Sequence, residues 1–299
     1  MGRPTAWVLG GGGARGATQL GVIRAVLESK VGPPTAIFGT SVGALDGAVI
    51  AARPNADGSE LLQQLWRSKP ARDVFHVHSL GVILSRFAGQ LGLLSADPLK
   101  ALIDEFESAT GCVNFEDLRI PLHVVATDLL AGRPVVFQSG PLAPALLASA
   151  AIPGVFPPVE VDGRVCSDGG IVDNAPISIA VQEGYGRILA IGVMAGGELE
   201  ERPSSWTELI ARTLQLSLHH RLLSDFQRLR QRAKIVVICP ITPPRAAWDM
   251  QLPHVQSRIA SSYEATRELL DEIGSSLFDR SAVYYLDLGD GTTRLADAV

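Results

Sequence analysis

In the run Ala36-Ile37-Phe38-Gly39-Thr40-Ser41-Val42-Gly43-Ala44-Leu45, a short β-branched and aromatic stretch leads into Gly-x-Ser-x-Gly. An Ala/Leu/Val-rich helical stretch, Ala44 to Ala52, leaves it. Strand, sharp turn, then helix is the context in which Gly-x-Ser-x-Gly makes a nucleophile elbow. The constraint is steric. A serine at the apex of so tight a turn needs neighbours without bulk, so Gly39 and Gly43, on either side of Thr40, Ser41 and Val42, let strand and helix nearly touch. The helix that follows aims its N-terminal N–H groups and its positive dipole end at whatever charge forms near Ser41. Taken alone, the same letters also suit a glycine-rich strand–helix turn with an incidental serine.

The chain has 299 residues, enough for one large or two small domains with a sizeable core. With 46% hydrophobic and 19% charged residues, it is an ordinary globular chain rather than a disordered one. A net charge of −5 argues against nucleic acid as partner, which calls for a basic face. Cys112, Cys166 and Cys239 lie far apart with no Cys-x-x-Cys pair, which fits a reducing compartment. No His/Cys/Asp cluster has metal-ligand spacing, so neither a metal nor another cofactor is expected.

The N-terminal Met1 to Ala6 does not read as a signal peptide, and Ala6 stands where a myristoylation signal wants Ser or Thr. Pro134 to Val159 carries no charge and is long enough to span a bilayer. Pro141, Pro144, Pro153, Pro157 and Pro158 would break such a helix, so a buried loop with a short helix is expected. The expectation is a soluble, cytoplasmic protein with at most peripheral, transient contact at a membrane surface.

Strands and helices alternate along the chain. Thr5 to Leu9 reads as a buried strand and Ala17 to Ser29 as a helix, with the glycine run Gly10 to Gly13 and Gly16 between them. Together with the strand entering the elbow they form a parallel, right-handed β-loop-α-β unit. Pro121 to Thr127 and Arg133 to Phe137 predict a hairpin turning at Gly132, and Asp97 with Pro98 predicts a helix start. Arg187 to Val193 and Lys234 to Cys239 are continuous apolar runs of the buried parallel kind, and Ser281 to Leu288 a more polar strand at an edge. Trp206 to Arg232 carries a helical stripe of Ile210, Leu214, Leu218, Leu222, Phe226 and Leu229. The pattern predicts an α/β fold, a three-layer α/β/α sandwich with a mainly parallel central sheet. Residues 1–200 would form the core, with 201–299 adding helices and strands to the same domain.

Three short motifs occur in order: Gly11-Gly12-Gly13-Ala14-Arg15-Gly16 after the first strand, Gly39-Thr40-Ser41-Val42-Gly43 at the elbow, and Asp168-Gly169-Gly170 after a strand-like Val159 to Cys166. Together they resemble the patatin-like phospholipases, lipid acyl hydrolases with a Ser–Asp dyad. The block Ala148-Ser149-Ala150-Ala151-Ile152-Pro153-Gly154-Val155-Phe156-Pro157-Pro158, and Asn174-Ala175-Pro176 beyond the Asp-Gly-Gly turn, extend the resemblance over roughly the first two-thirds of the chain. It implies Ser41 as nucleophile and Asp168 as its partner. It also implies an oxyanion hole from the backbone amides of Gly11, Gly12, Gly13, Ala14, Arg15 and Gly16, and a lipid ester as substrate. The chemistry agrees: a serine hydroxyl needs a base within reach, and a partly buried aspartate gains basicity. Other functions open to the same scaffold are a catalytically idle lipid-binding or regulatory protein, and a thioesterase using the same dyad.

Rival readings are weaker. Gly11-x-Gly13-x-x-Gly16 also matches a dinucleotide fingerprint, but no Asp or Glu falls from Val31 through Leu45, where the ribose ligand should stand. A Ser–Asp–His triad would have to use His219, His220 or His254, of which the first two look like a solvated helix face. Asp128 and Asp173 read as loop anchors, Asn174 as a cap or brace for the turn that positions Asp168, Arg15 as a brace for its loop, and Arg228, Arg230, Arg232 and Lys234 as charges favourable to a helix C-terminus. Asp46 is out of place on the apolar elbow helix and calls for a partner. The glycine-broken apolar stretch Phe75 to Leu94 fits either a lid over an acyl groove or a buried segment.

Overall fold

Five short apolar segments, each too hydrophobic to face water on either side, line up in parallel at the centre of the molecule. They are β1 (Ala6–Leu9), β2 (Ala36–Thr40), β3 (Leu122–Asp128), β7 (Arg187–Ile191) and β8 (Lys234–Ile241). The computed structural model describes residues 4–74, 92, 94–193, 202–203, 205–242, 251–288 and 293–295. Its sheet runs in the order β10-β9-β8-β7-β1-β2-β3-β6-β5, with β4 (Arg133–Phe137) also on β3. β9 (Ala282–Asp287) lies parallel to β8; β10 (Thr293–Leu295), β4, β5 (Val159–Val161) and β6 (Arg164–Asp168) pair antiparallel. β9 is therefore an inner strand rather than the expected edge, because β10 covers it.

Alternation along each strand feeds two separate cores. Trp7, Leu9, Ile37, Val124, Leu189 and Ile238 point to one face, where helices Gly16–Glu28, Val42–Ala52 and Leu252–Ile273 cover them. Val8, Phe38, Val125, Ile188 and Val237 point to the other, under helices Ile177–Gln182 and Trp206–Leu229. Strands buried on both faces explain why the sequence shows apolar runs there rather than alternation. Three layers result.

Several local expectations shift. The Asp97–Thr110 helix begins at Asp97, with Ala96 in the capping position. The stripe on Trp206–Leu229 is only half used: Leu222, Phe226 and Leu229 are buried, whereas Ile210 and Leu214 are exposed. His219, expected on the solvated face, is buried and hydrogen-bonded to the Tyr285 hydroxyl at 3.0 Å. The uncharged stretch from Pro134 folds as the end of β4, the short helix Leu142–Ser149 and a loop, with Pro144 in the first helical turn, where its missing N–H costs nothing. Phe75 to Leu94 lies outside the described residues, apart from Gly92 and Leu94. Among the described residues no helix is long and apolar enough to cross a membrane.

Candidate active site

Register alone brings the serine turn and the acid turn together. β2 lies along β3 with Thr40 opposite Val125, and β6 meets β3 further on, with Asp168 opposite Ala126. β4 occupies one edge of β3 from Val124 to Asp128, so β2 and β6 share the other edge end to end. The last residue of β6 thus stops where β2 breaks into the elbow. The Thr127 hydroxyl donates to the Asp168 carbonyl at 2.8 Å, and the Asp168 N–H donates to Ala151 O at 2.9 Å. Both bonds fix the backbone of the acid.

Ser41 has φ 56° and ψ −128°, a left-handed conformation that a non-glycine residue holds only under constraint, at a cost of order 1–3 kcal/mol. The constraint is packing on both sides of the turn. A Cβ on Gly43 would overlap the Leu9 carbonyl, and one on Gly39 would come within 2.6 Å of the Ala44 Cα. The Ser41 N–H donates to the Ser149 hydroxyl at 2.8 Å, and that hydroxyl donates to Val125 O at 2.6 Å. Ser149 therefore ties the elbow to the neighbouring strand. Its sequence signal was the Ala-Ser-x-Ala block, which carried no role for it.

The Ser41 hydroxyl hydrogen-bonds the Asp168 carboxylate, and the Gly170 N–H donates to Asp168 Oδ1 at 2.7 Å. Burial disfavours the charged carboxylate more than these two bonds favour it, so its pKa is pushed up to about 6. Ser41 and Asp168 are buried, 5% and 7% exposed. No imidazole joins them among the described residues: His219 is committed to Tyr285, His123 stacks on Phe38, and His254 is exposed on its helix.

The glycine loop lies directly against the serine. A Cβ on Gly11 would sit 2.9 Å from the Ser41 Cβ and 2.6 Å from Asn174 Oδ1. Asn174 clamps the loop, accepting the Gly11 N–H on its carbonyl at 3.1 Å and donating Nδ2 to Gly11 O at 3.1 Å. Gln19, a residue outside every motif, donates Nε2 to Gly10 O at 2.6 Å. The amides of Gly11, Arg15 and Gly16 are engaged with Asn174 O, Gly12 O and the Ala14 and Gly13 carbonyls. Those of Gly12, Gly13 and Ala14 have no partner among the described residues. Arg15 is buried, its guanidinium lowered to about 10 by burial and by the charges of Arg258 and Arg212.

The remaining carboxylates have structural work. Asp128 accepts the Leu130 and Ala131 N–H groups at 3.0 and 2.9 Å, closing the β3–β4 turn. Asp173 takes the Ser178 hydroxyl, and its carbonyl takes the Thr40 hydroxyl at 2.9 Å. Asp46 finds its partner in Trp66, whose Nε1–H donates at 3.0 Å; burial pushes its pKa well above the usual carboxylate value, against the pull of that hydrogen bond. A partly open cleft, with a cavity volume of about 40 Å³, runs along the elbow helix, lined by Val42, Leu45, Val49, Trp66, Ile103 and Phe106 among others.

The patatin-like phospholipase family model matches residues 7–181. An uncharacterised NTE family protein of Mycobacterium tuberculosis is 39% identical over 192 residues, covering 64% of this chain and 49% of that protein. Neuropathy target esterase sws of Drosophila melanogaster is 32% identical over 189 residues, covering 62% of this chain and 12% of the fly protein. The chain thus spans about half the mycobacterial relative's length and a small part of the fly protein. VipD from Legionella pneumophila superimposes with a TM-score of 0.51 at 18% identity, over 90% of this chain and 67% of that one, a likeness of fold.

Proposed function

The chain belongs to the patatin-like phospholipase family, and from that premise we propose that it hydrolyses carboxylic esters of lipids, phospholipid or acylglycerol, through an acyl-Ser41 intermediate. The observation that carries the reading is the strained Ser41 hydroxyl held against the buried Asp168 carboxylate. Asp168 takes the hydroxyl proton as Ser41 Oγ bonds to the ester carbonyl carbon. Negative charge on the former carbonyl oxygen is met by the Gly12 and Gly13 amides and the N-terminus of the elbow helix. The C–O bond then breaks, and the leaving alkoxide takes the proton from Asp168. A water repeats the sequence in reverse roles, releasing the fatty acid and freeing Ser41.

The apolar cleft beside Val42 supports an acyl chain rather than a charged group on that side of the serine. Turnover of p-nitrophenyl esters by the protein and by Ser41→Ala tests the proposal, with a fluorophosphonate adduct mapped by mass. Loss of turnover by at least about 10³-fold and an adduct on Ser41 are expected. Equal rates in the two proteins would refute it.

A further inference from the structure

Asp46 is the single polar side chain in the elbow helix Val42–Ala52, and it is 2% exposed. Its Oδ1 accepts the Trp66 Nε1–H at 3.0 Å. Its Oδ2 is equally cut off from solvent and has no hydrogen-bond partner among the described residues. Leaving a buried carboxyl oxygen unpaired is costly, and native proteins rarely do so without a use for it.

The same side chain lines the partly open cleft along the elbow helix. Val42, Leu45 and Val49 stand with it on one helical face; Trp66, from the Ala56–Arg67 helix, and Ile103 and Phe106, from Asp97–Thr110, stand across from it. The cavity of about 40 Å³ exceeds the ~10–15 Å³ that admits one water, but a buried water seeks two to four polar partners. Apart from Asp46 and Trp66, whose indole N–H is given to Oδ1, every lining side chain is apolar. Water alone is thus a poor occupant, and a plain hydrocarbon would leave Oδ2 unpaired. An ammonium group would carry a charge into apolar surroundings. A hydroxyl is uncharged, and it pairs with a carboxyl oxygen in either protonation state, because it both donates and accepts.

We infer that this cleft is a binding site for an apolar chain bearing one hydroxyl, with the chain along Val42, Leu45 and Val49 and the hydroxyl on Asp46 Oδ2. Two sources share that chemistry: a free aliphatic alcohol, and a hydroxylated acyl group of the ester substrate. Only the second rests on the esterase reading. Asp46 lies five residues beyond Ser41, about 7.5 Å along the helix axis, which puts it within reach of a medium-length acyl chain.

In isotope-labelled protein the magnetic resonance signal of the Trp66 Nε1–H, assigned by its absence in Trp66→Phe, reports directly on Asp46. Titration with 1-butanol should shift that signal saturably, and 1-fluorobutane, similar in shape, should bind about tenfold more weakly. Hydrophobic transfer alone gives the opposite order, since the fluoride is the more apolar of the two. Asp46→Asn keeps a carbonyl for Trp66 and offers an N–H to the hydroxyl, so it should retain the preference. Asp46→Leu should bind the fluoride at least as well as the alcohol. If Asp46→Leu does not fold, the order in the unsubstituted protein and in Asp46→Asn decides. An unmoved Trp66 signal, tighter binding of the fluoride, or a preference for the alcohol that survives in folded Asp46→Leu would overturn the inference. Comparison of kcat/KM for p-nitrophenyl 6-hydroxyhexanoate and hexanoate separates the sources. A preference of about tenfold for the hydroxylated ester, lost in Asp46→Leu, identifies the acyl group, and equal rates identify a free alcohol. If neither ester is cleaved while the butanol order holds, the esterase reading fails and the site stands.

Discussion

Replacing Asp168 by Asn separates the cost of a catalytic carboxylate from its use. In the folded protein the carboxyl has its pKa raised from 3.8 to about 6, chiefly by burial. For an acid raised on folding, the native state holds its proton across the window from pH 3.8 to about 6, where the unfolded chain has already released it. Stability therefore falls as pH rises through that window, is unaffected below it, and stays lowered by a fixed amount above it. The full difference amounts to roughly 3 kcal/mol near pH 8. Roughly half has developed by pH 5, so about 1.4 kcal/mol appears between pH 5 and pH 8. Asn keeps an oxygen for the Gly170 N–H but carries no charge, so Asp168→Asn escapes the loss. Urea unfolding of both proteins should show the variant gaining on the wild type by about 1–1.5 kcal/mol from pH 5 to pH 8, because Asp173, also raised to about 6, is common to both and cancels. A difference independent of pH would refute the reasoning, since it would mean that Asp168 is not held out of water as the geometry requires.

In catalysis the same carboxyl must be ionised to accept the serine proton, so kcat/KM for a soluble ester should fall below pH about 6 and level off above it; a profile flat from pH 5 to 8 would remove Asp168 as base. Ser149→Ala removes both the acceptor of the Ser41 N–H and the donor to Val125 O, and should cost about 1–3 kcal/mol in unfolding and lower kcat more than it raises KM. Trp66→Phe, which strips the buried donor to Asp46, should cost about 1–3 kcal/mol by denaturation.

Residues whose role is local were legible in the chain. Gly39 and Gly43 announced the elbow because a tight strand–helix turn excludes side chains whatever lies around it, and the Leu9 carbonyl proves to be what a side chain would strike. The hairpin at Gly132 and the parallel runs into β7 and β8 were legible for the same reason: turn chemistry and two-sided burial leave their marks on neighbouring letters. The Asp168 turn was found by resemblance, and no spacing rule would have placed it. The partners of Ser41, Gly11 and Asp46 were not legible, since Ser149, Asn174 and Trp66 are side chains of common types whose use depends on what folding sets opposite them. The same holds for His219, which the helical pattern put in water and β9 draws inside through Tyr285.

By itself, then, the sequence determined the elements and the sharp serine turn, because backbone sterics and apolar periodicity act between residues a few positions apart. The tertiary structure decided that β6 abuts β2 on one edge of β3, placing a carboxylate 127 positions away against the serine hydroxyl. It also decided how deeply that carboxylate is buried, and which loop amides remain unclaimed among the described residues. Strand register and burial are properties of the packed sheet as a whole, and no short window of residues carries them.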